Sequence, residues 1–482
     1  MKNDIIIIFM IMLGIGMCGA GWERTYGGDG NDFGNFAMQT IDNGYIVAGQ
    51  TNSFINRGVY LIKTDAVGDT SWTNRYGSSY YDYAQSVIQT FDGGYILGGS
   101  QYQSSQYDPF LVKTDASGEM LWSRTYGGTQ SDWGFFAIQT SDSGFVITGR
   151  KYAYPPATDY DVLLIRANTS GSEIWSRTYD NGYVGYCVQE TNDGGFVVAG
   201  WTESLGEGLY SNSYILKTNA SGYMEWEFAY GTDFPDEAKF ISLISDDEYI
   251  VTGYTGLSVW LLKLDSSGDT IWTRTYGGSY TDKGYCVSQT TDGGYIIVGE
   301  TDSYGSGLLD VYVIKTDSEG NLLWSQTYGG SNNDGGRSIS QTDDGGYIIA
   351  GYTTSWGEGL EDIYLIKIDS EGIAEWQVPK PHTLSLSAFP NPFNSSVAIT
   401  APADAEVEIY DLRGNVVFNH PHSLSSLRSP SEYSPSLAKE GDGAQRQRVV
   451  WQPDESIASG IYLVRARTED GRTATRKVVL LR

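Results

Sequence analysis

One phrase occurs seven times between Trp22 and Trp376, at intervals of about 50 residues, and a period of that size marks an array of supersecondary units. Its anchors are Trp22, Trp72, Trp122, Trp175, Trp226, Trp272, Trp324 and Trp376. Between anchors runs W-x-R-T-Y-G-G, then x-Q-T-x-D-G-G-Y, three apolar residues, a glycine and L-x-K-T-D-x-x-G. Apolar residues alternate or run in short stretches rich in Val, Ile, Tyr and Phe, punctuated by glycine, which is the pattern of strands and not of helix. In the sixth unit the expected strands are Tyr285–Thr290, Tyr295–Thr301, Val311–Thr316 and Leu322–Tyr328. Asp292-Gly293-Gly294 closes the first pair with the positive φ of a tight hairpin, and Asp317-Ser318-Glu319-Gly320 closes the second. Seven four-stranded meanders in a row predict an all-β, seven-bladed propeller over residues 21–378, a ring that leaves only short edges. Eight outer strands serve seven inner triplets, so either the Trp22 or the Trp376 strand closes the ring, and the sequence does not choose between them.

The spacing G-x-x-x-W, as in Gly118 to Trp122 or Gly268 to Trp272, puts an indole on each outer strand just after a turn. This resembles the tryptophan-docking element of quinoprotein-like propellers, in which the indole wedges between blades. The resemblance covers that strand and turn and brings no quinone or calcium ligands with it. The Gly-His and Trp-Asp pairs of WD40 repeats are missing, and the aspartate-to-tryptophan distance is longer than that of the sialidase Asp box.

Residues 1–20 read as a secretory signal: Lys2, an apolar run from Ile5 to Met17, then Cys18-Gly19-Ala20. That run is short of the roughly 20 residues that span a bilayer, and no later stretch is apolar for long enough. Two further cysteines, Cys187 and Cys286, hold the same position in non-neighbouring units and read as buried thiols. The formal net charge is −28, and residues 1–379 carry 48 acidic against 19 basic side chains. Such a surface repels phosphate backbones, which excludes nucleic acid and anionic lipid as partners.

The D-G-G and T-D-x-x-G turns are short, nearly invariant and belong to one face. The loops from strand two to strand three and from blade to blade lie on the other and vary, as functional loops do. Once repeat-determined aromatics are subtracted, the variable face keeps a crowd that includes Tyr80, Tyr81, Tyr83, Tyr102, Tyr107, Trp133, Tyr152, Tyr154, Tyr160, Tyr183, Phe234, Tyr280, Tyr304 and Trp356. The invariant face keeps Phe91 and Tyr223. Tyr, Ser, Gly and Asn together make a paratope-like surface. One slot, immediately after the strand-two glycine, holds Gln50, Ser100, Arg150, Trp201, Tyr254, Glu300 and Tyr352 while its neighbours hardly change. The candidate ligand contacts are therefore Arg150, Trp201, Tyr254, Glu300, Tyr352, Trp356, Tyr304 and Trp133.

Asp32, Asp82, Asp132, Asp236, Asp282 and Asp334 each fall six residues after the repeat tyrosine. One aspartate per blade is spread round a ring, whereas calcium needs six to eight clustered oxygens, so these read as turn caps and no metal or cofactor is expected. All three histidines, His382, His420 and His422, lie beyond the repeats, which leaves no Ser-His-Asp or Cys-His pair. No residue is singled out as catalytic.

After Trp376 the composition changes: residues 379–387 are a linker, and from Lys380 the charge is balanced. Then come Phe389-Pro390-Asn391-Pro392-Phe393-Asn394, Val407-Glu408-Ile409-Tyr410-Asp411-Leu412-Arg413-Gly414-Asn415-Val416-Val417, Ala458-Ser459-Gly460-Ile461-Tyr462-Leu463-Val464-Arg465, and Arg476-Lys477-Val478-Val479-Leu480-Leu481-Arg482. In that order these motifs resemble the type A C-terminal sorting domain of the type IX secretion system of Gram-negative bacteria. The residues themselves read as a small Ig-like sandwich over 388–482, with a Ser-, Pro- and charge-rich stretch at 419–448 expected to be a disordered insertion. The resemblance implies recognition by the secretion machinery at the outer membrane, and surface attachment or release. The sequence thus predicts an exported, monomeric propeller that binds an extracellular glycan or protein through its aromatic face. A polysaccharide hydrolase or lyase using carboxylates or tyrosine there, and a structural surface-layer component, are the alternatives.

Overall fold

The computed structural model describes residues 21–374 apart from 55–56, 78, 80, 154–158, 207–209, 245–247 and 358, and, further on, 387–389, 395–402, 405–413, 415–420, 438–439, 445–453, 457–467 and 473–481. The expected signal segment, nearly all of the linker, Tyr80, Tyr154 and the Trp376 anchor lie outside them. Two compact units divide the chain, residues 1–376 and 377–482.

Seven four-stranded antiparallel sheets make up the first unit, a seven-bladed β-propeller with no helix among the described residues. The blades open with inner strands Asp32–Gln39, Tyr83–Gln89, Trp133–Gln139, Val184–Glu190, Asp236–Leu243, Asp282–Gln289 and Asp334–Gln341. Each inner strand contacts the next one round, and the last contacts the first, so these seven surround the axis. The closing strand is Trp22–Tyr26, which pairs with Asp362–Ile368 as the outer strand of blade seven. Across the same seam Asp343 N donates to Gln39 Oε1 at 2.8 Å and Ala37 N to Ser338 Oγ at 2.9 Å.

The repeat residues weld blade to blade. Trp72 sits edge-on to Tyr95 of the next blade at 6.0 Å, and Trp22–Tyr45, Trp122–Phe145, Trp272–Tyr295 and Trp324–Tyr347 repeat the contact. The indole also lies beneath the next blade's turn glycine: a Cβ at Gly118, whose φ is 81°, would meet the Trp72 ring at 2.6 Å. That turn therefore needs glycine both for its left-handed backbone and for space. The repeat tyrosine completes the joint, as Tyr76 Oη donates to Gly118 O at 2.5 Å and Tyr126 Oη to Gly171 O at 2.7 Å.

In the second unit, one sheet holds Ser387–Phe389, Val397–Pro402, Gln445–Trp451 and Ala438–Lys439, and the other Val416–His420, Glu406–Tyr410, Gly460–Arg467 and Thr473–Leu480. Val397, Ile399, Val407, Ile409, Trp451, Val464, Val478 and Leu480 share one core between them. Gln445–Arg448, inside the stretch expected to be an insertion, belong to a strand, with Arg446–Arg448 opposite Thr400–Pro402; residues 421–437 lie outside the described set.

Candidate functional site

Every inner strand carries a bulge one residue beyond its Gly or Ala, where the register to strand two shifts. An extra residue there leaves the ladder and re-aims a side chain. The bulge residues are Asn35, Gln85, Tyr186, Lys239, Tyr285 and Arg337, with Phe135–Phe136 in blade three. All of them but Phe135 line an axial cavity of about 260 Å³. Phe36, Phe136 and Phe240, from blades one, three and five, meet edge to face at 5.3 and 5.4 Å and plug the axis.

Around this cavity two charge networks are braced by phenols. In blade five, Glu237 ion-pairs with Lys239 and accepts hydrogen bonds from Tyr254 Oη at 2.5 Å and Tyr186 Oη at 3.2 Å. The Lys239 ammonium stands 3.9 Å over the Tyr186 ring. Burial pushes the Glu237 carboxyl up, but Lys239 and the hydrogen bonds outweigh it and hold the group below its ordinary value. Burial lowers the Lys239 ammonium, with Glu237 opposing. In blades six and seven, Glu300 accepts from Tyr285 Oη at 2.7 Å and faces Arg337 at 3.5 Å, and the guanidinium lies 4.2 Å over Tyr285 and 5.2 Å over Tyr352. Burial, reinforced by the neighbouring carboxylates, raises the phenols of Tyr186, Tyr254 and Tyr285, so at neutral pH they are hydrogen-bond donors and not bases. A carboxylate held ionised beside a lysine and phenols held protonated are poorly matched to acid–base work.

From the cavity an unbroken row of rings runs outward over blades four, three and two. Trp201 Nε1 donates to Tyr186 Oη at 3.2 Å, and its ring stacks on Tyr183 at 4.2 Å. Tyr183 meets Tyr160 at 5.3 Å, Tyr160 meets Trp133 at 5.4 Å, and Trp133 stacks on Tyr107 at 5.3 Å. Tyr102 then touches both Tyr107 and Tyr81 at 5.0 Å. Arg150 lies opposite Trp133 in the ladder and spreads over Trp133 at 4.1 Å and Tyr160 at 4.4 Å.

The eight sequence candidates thus fall into three places. Trp133, Arg150 and Trp201 belong to the ring row. Tyr254, Glu300 and Tyr352 brace the cavity cations, the last two nearly buried at 7% and 8% exposure. Tyr304 and Trp356 are exposed over blades six and seven, where Tyr304 Oη donates to Gly277 O at 2.9 Å. The bulge residues escaped the sequence reading although they vary as much as the strand-two slot. Strict alternation assigns a residue to core or channel, and an inserted residue breaks that count. The six repeat aspartates are buried and cap turns: Asp282 Oδ2 accepts from Gly278 N and Ser303 Oγ, each at 2.8 Å, and Asp334 Oδ2 from Gly330 N and Ser355 Oγ, each at 2.7 Å. Among the described residues no group of three or more His, Cys, Asp or Glu is placed to hold a metal ion.

Residues 387–431 match the family model of the secretion system C-terminal sorting domain. The chain accordingly carries the signal for type IX secretion, which implies interaction with that machinery and export to the cell surface or the extracellular space. No curated protein matches the chain. Among solved structures it is similar to Sqt1 from Chaetomium thermophilum, at 10% identity over 72% of this chain and 100% of that one, with a TM-score of 0.40. It is likewise similar to Drosophila Plexin A, solved in complex with Semaphorin 1b, at 8% identity over 73% and 88% with a TM-score of 0.42. Prolyl oligopeptidase B from Galerina marginata matches at 11% identity over 77% and 56%, with a TM-score of 0.41.

Proposed function

We propose that the exported propeller is a non-catalytic glycan-binding module whose ligand lies along the ring row from Tyr81 to Trp201. The observation that carries this reading is the row itself: seven aromatic side chains in continuous contact, on the face whose loops vary, from three different blades. Repeat packing does not need them, since the blade joints use the tryptophans of the outer strands. Tyr and Trp offer flat apolar faces to the C–H faces of sugars and polar edges to their hydroxyls, at little cost in side-chain entropy. Arg150, over both Trp133 and Tyr160, adds guanidinium donors to the row. A glycan array probed with the full chain tests the reading. Binding should be lost in Tyr102→Ala/Trp201→Ala with an unchanged melting temperature, and kept in Phe91→Ala/Tyr223→Ala on the opposite face. Loss in the control with retention in the first variant would assign binding to the other face, and capture of a protein with no glycan would replace the ligand class.

A further inference from the structure

The basic residues of the propeller sort by their duty. Eighteen lysines and arginines lie between Trp22 and Trp376. Seven sit on third strands, one per blade, and pair with an acid of their own blade's first turn, as Lys63 does with Asp42 and Lys315 with Asp292 at 2.9 Å. Five more are outer-strand arginines: Arg24, Arg124, Arg177 and Arg274 lie over the tryptophans of the blade joints, and Arg75 over Phe54 and Tyr60 of its own blade. Six remain: Arg57, Arg150, Lys151, Lys239, Lys283 and Arg337. Lys239 and Arg337 line the axial cavity, and Lys283 lies on the adjoining strand 5.2 Å from the Tyr254 ring. In a chain dominated by carboxylates, three of these six cations gather at the axis and Arg150 lies in the ring row.

We infer that the axial cavity is an anion subsite, which receives a sugar bearing a carboxylate or sulfate at the end of the ring row; the inference rests on the glycan-binding reading and specifies its ligand. Glu237 and Glu300, the partners of the two cations, are not part of the cavity lining. Their oxygens accept hydrogen bonds from Tyr186 and Tyr285 in the cavity wall and from Tyr254 behind it. They hold the cations in place without filling the cavity, and an ammonium with three donors and a guanidinium with five have N–H groups left for a ligand. Asn35 and Gln85 add amides to the wall, and the phenylalanine plug gives the floor an apolar face. A volume of about 260 Å³ lies below the roughly 300–1,000 Å³ of sites for drug-sized ligands, so the cavity suits one monomer unit. The hydrogen bond from Trp201 to Tyr186 joins it to the row, which makes the two parts of one groove.

The test compares oligogalacturonate, a neutral oligogalactan of equal length and its sulfated form by titration calorimetry on the full chain. Removing one cation alone would leave a carboxylate buried and unpaired, so charge-neutral doubles are used: Lys239→Met with Glu237→Gln, and Arg337→Met with Glu300→Gln. At least one anionic oligomer should bind tenfold or more tighter than the neutral one, with the advantage shrinking in high salt and vanishing in each double while neutral binding stays. The stronger of the carboxylate and sulfate arms identifies the group. Equal binding of anionic and neutral oligomers would remove the subsite and leave the ring row. Failure of all oligomers, with monomeric galacturonate still bound by the wild type and not by the doubles, would keep the subsite and remove the row; failure of all four probes would remove both.

Discussion

Trp122 belongs to one blade by hydrogen bonding and to the next by packing. Its strand pairs with Phe110–Thr114, yet its ring lies against Phe145 at 5.6 Å and under Gly171. The spacing from turn glycine to tryptophan was legible in the sequence because both lie in one repeat. The glycine that receives the indole was not, because it lies a full repeat further on and period alone cannot pair two copies of the same phrase. Trp122→Ala removes a ring from the joint between two sheets and leaves a cavity there, with an expected loss of about 3–5 kcal/mol. Urea denaturation measures it, and an unchanged midpoint would place the indole outside the joint. Gly171→Ala should destabilise by the same route from the other side, since a Cβ there would meet the Trp122 ring at 2.7 Å.

At the scale of elements, the first turn of each blade is pinned to its third strand by a cation, buried in every blade but the fifth. Burial pushes the carboxyls of Asp42, Asp193 and Asp292 up, but hydrogen bonds from the turn threonine, the lysine and a glycine N–H outweigh it and bring each down to about 2. An aspartate is near 3.9 when unfolded, so these groups stabilise the fold above about pH 4 and cease to do so as pH falls through about 2. Asp132 and Asp310 go the other way, raised by burial, the latter further by Asp334. In the folded state these bind protons more tightly, so stability is gained as pH falls through their raised values towards the unfolded one. The melting temperature should therefore rise as the solution is acidified from pH 7 and fall again below about pH 4; a monotonic fall from neutrality would contradict this account. The same scale explains what pattern reading captured. In blade six, Tyr295–Thr301 and Leu322–Tyr328 appear as expected because each starts and stops at a turn with its own chemistry. The first strand starts at Asp282 instead of Tyr285, since the bulge at Tyr285 interrupts the alternation that would have revealed its first residues.

For the whole molecule, the ring is closed by its own first strand. Trp22–Tyr26 pairs along Ile363–Lys367, and Trp22 is buried against Tyr45 of blade one, with a Cβ at Gly68 meeting its ring at 2.8 Å. The sequence could not choose between two terminal strands of the same motif; pairing decided it. The described propeller therefore completes all seven blades with residues before 375, and the second unit has a separate core between its own two sheets. Export and the proposed binding thus belong to different bodies, and loss of the first should leave the second intact. Deleting residues 387–482 removes the matched sorting domain and no blade strand. The shortened protein should keep the far-ultraviolet spectrum of the propeller and its glycan binding, while its surface and extracellular fractions fall to background and the material collects in the envelope. Cell fractionation followed by protease accessibility on intact cells measures this. Wild-type amounts of the shortened chain outside the cell would mean that the C-terminal domain is not the export signal, and loss of the folded spectrum would mean that the seam at Trp22 does not suffice to close the ring.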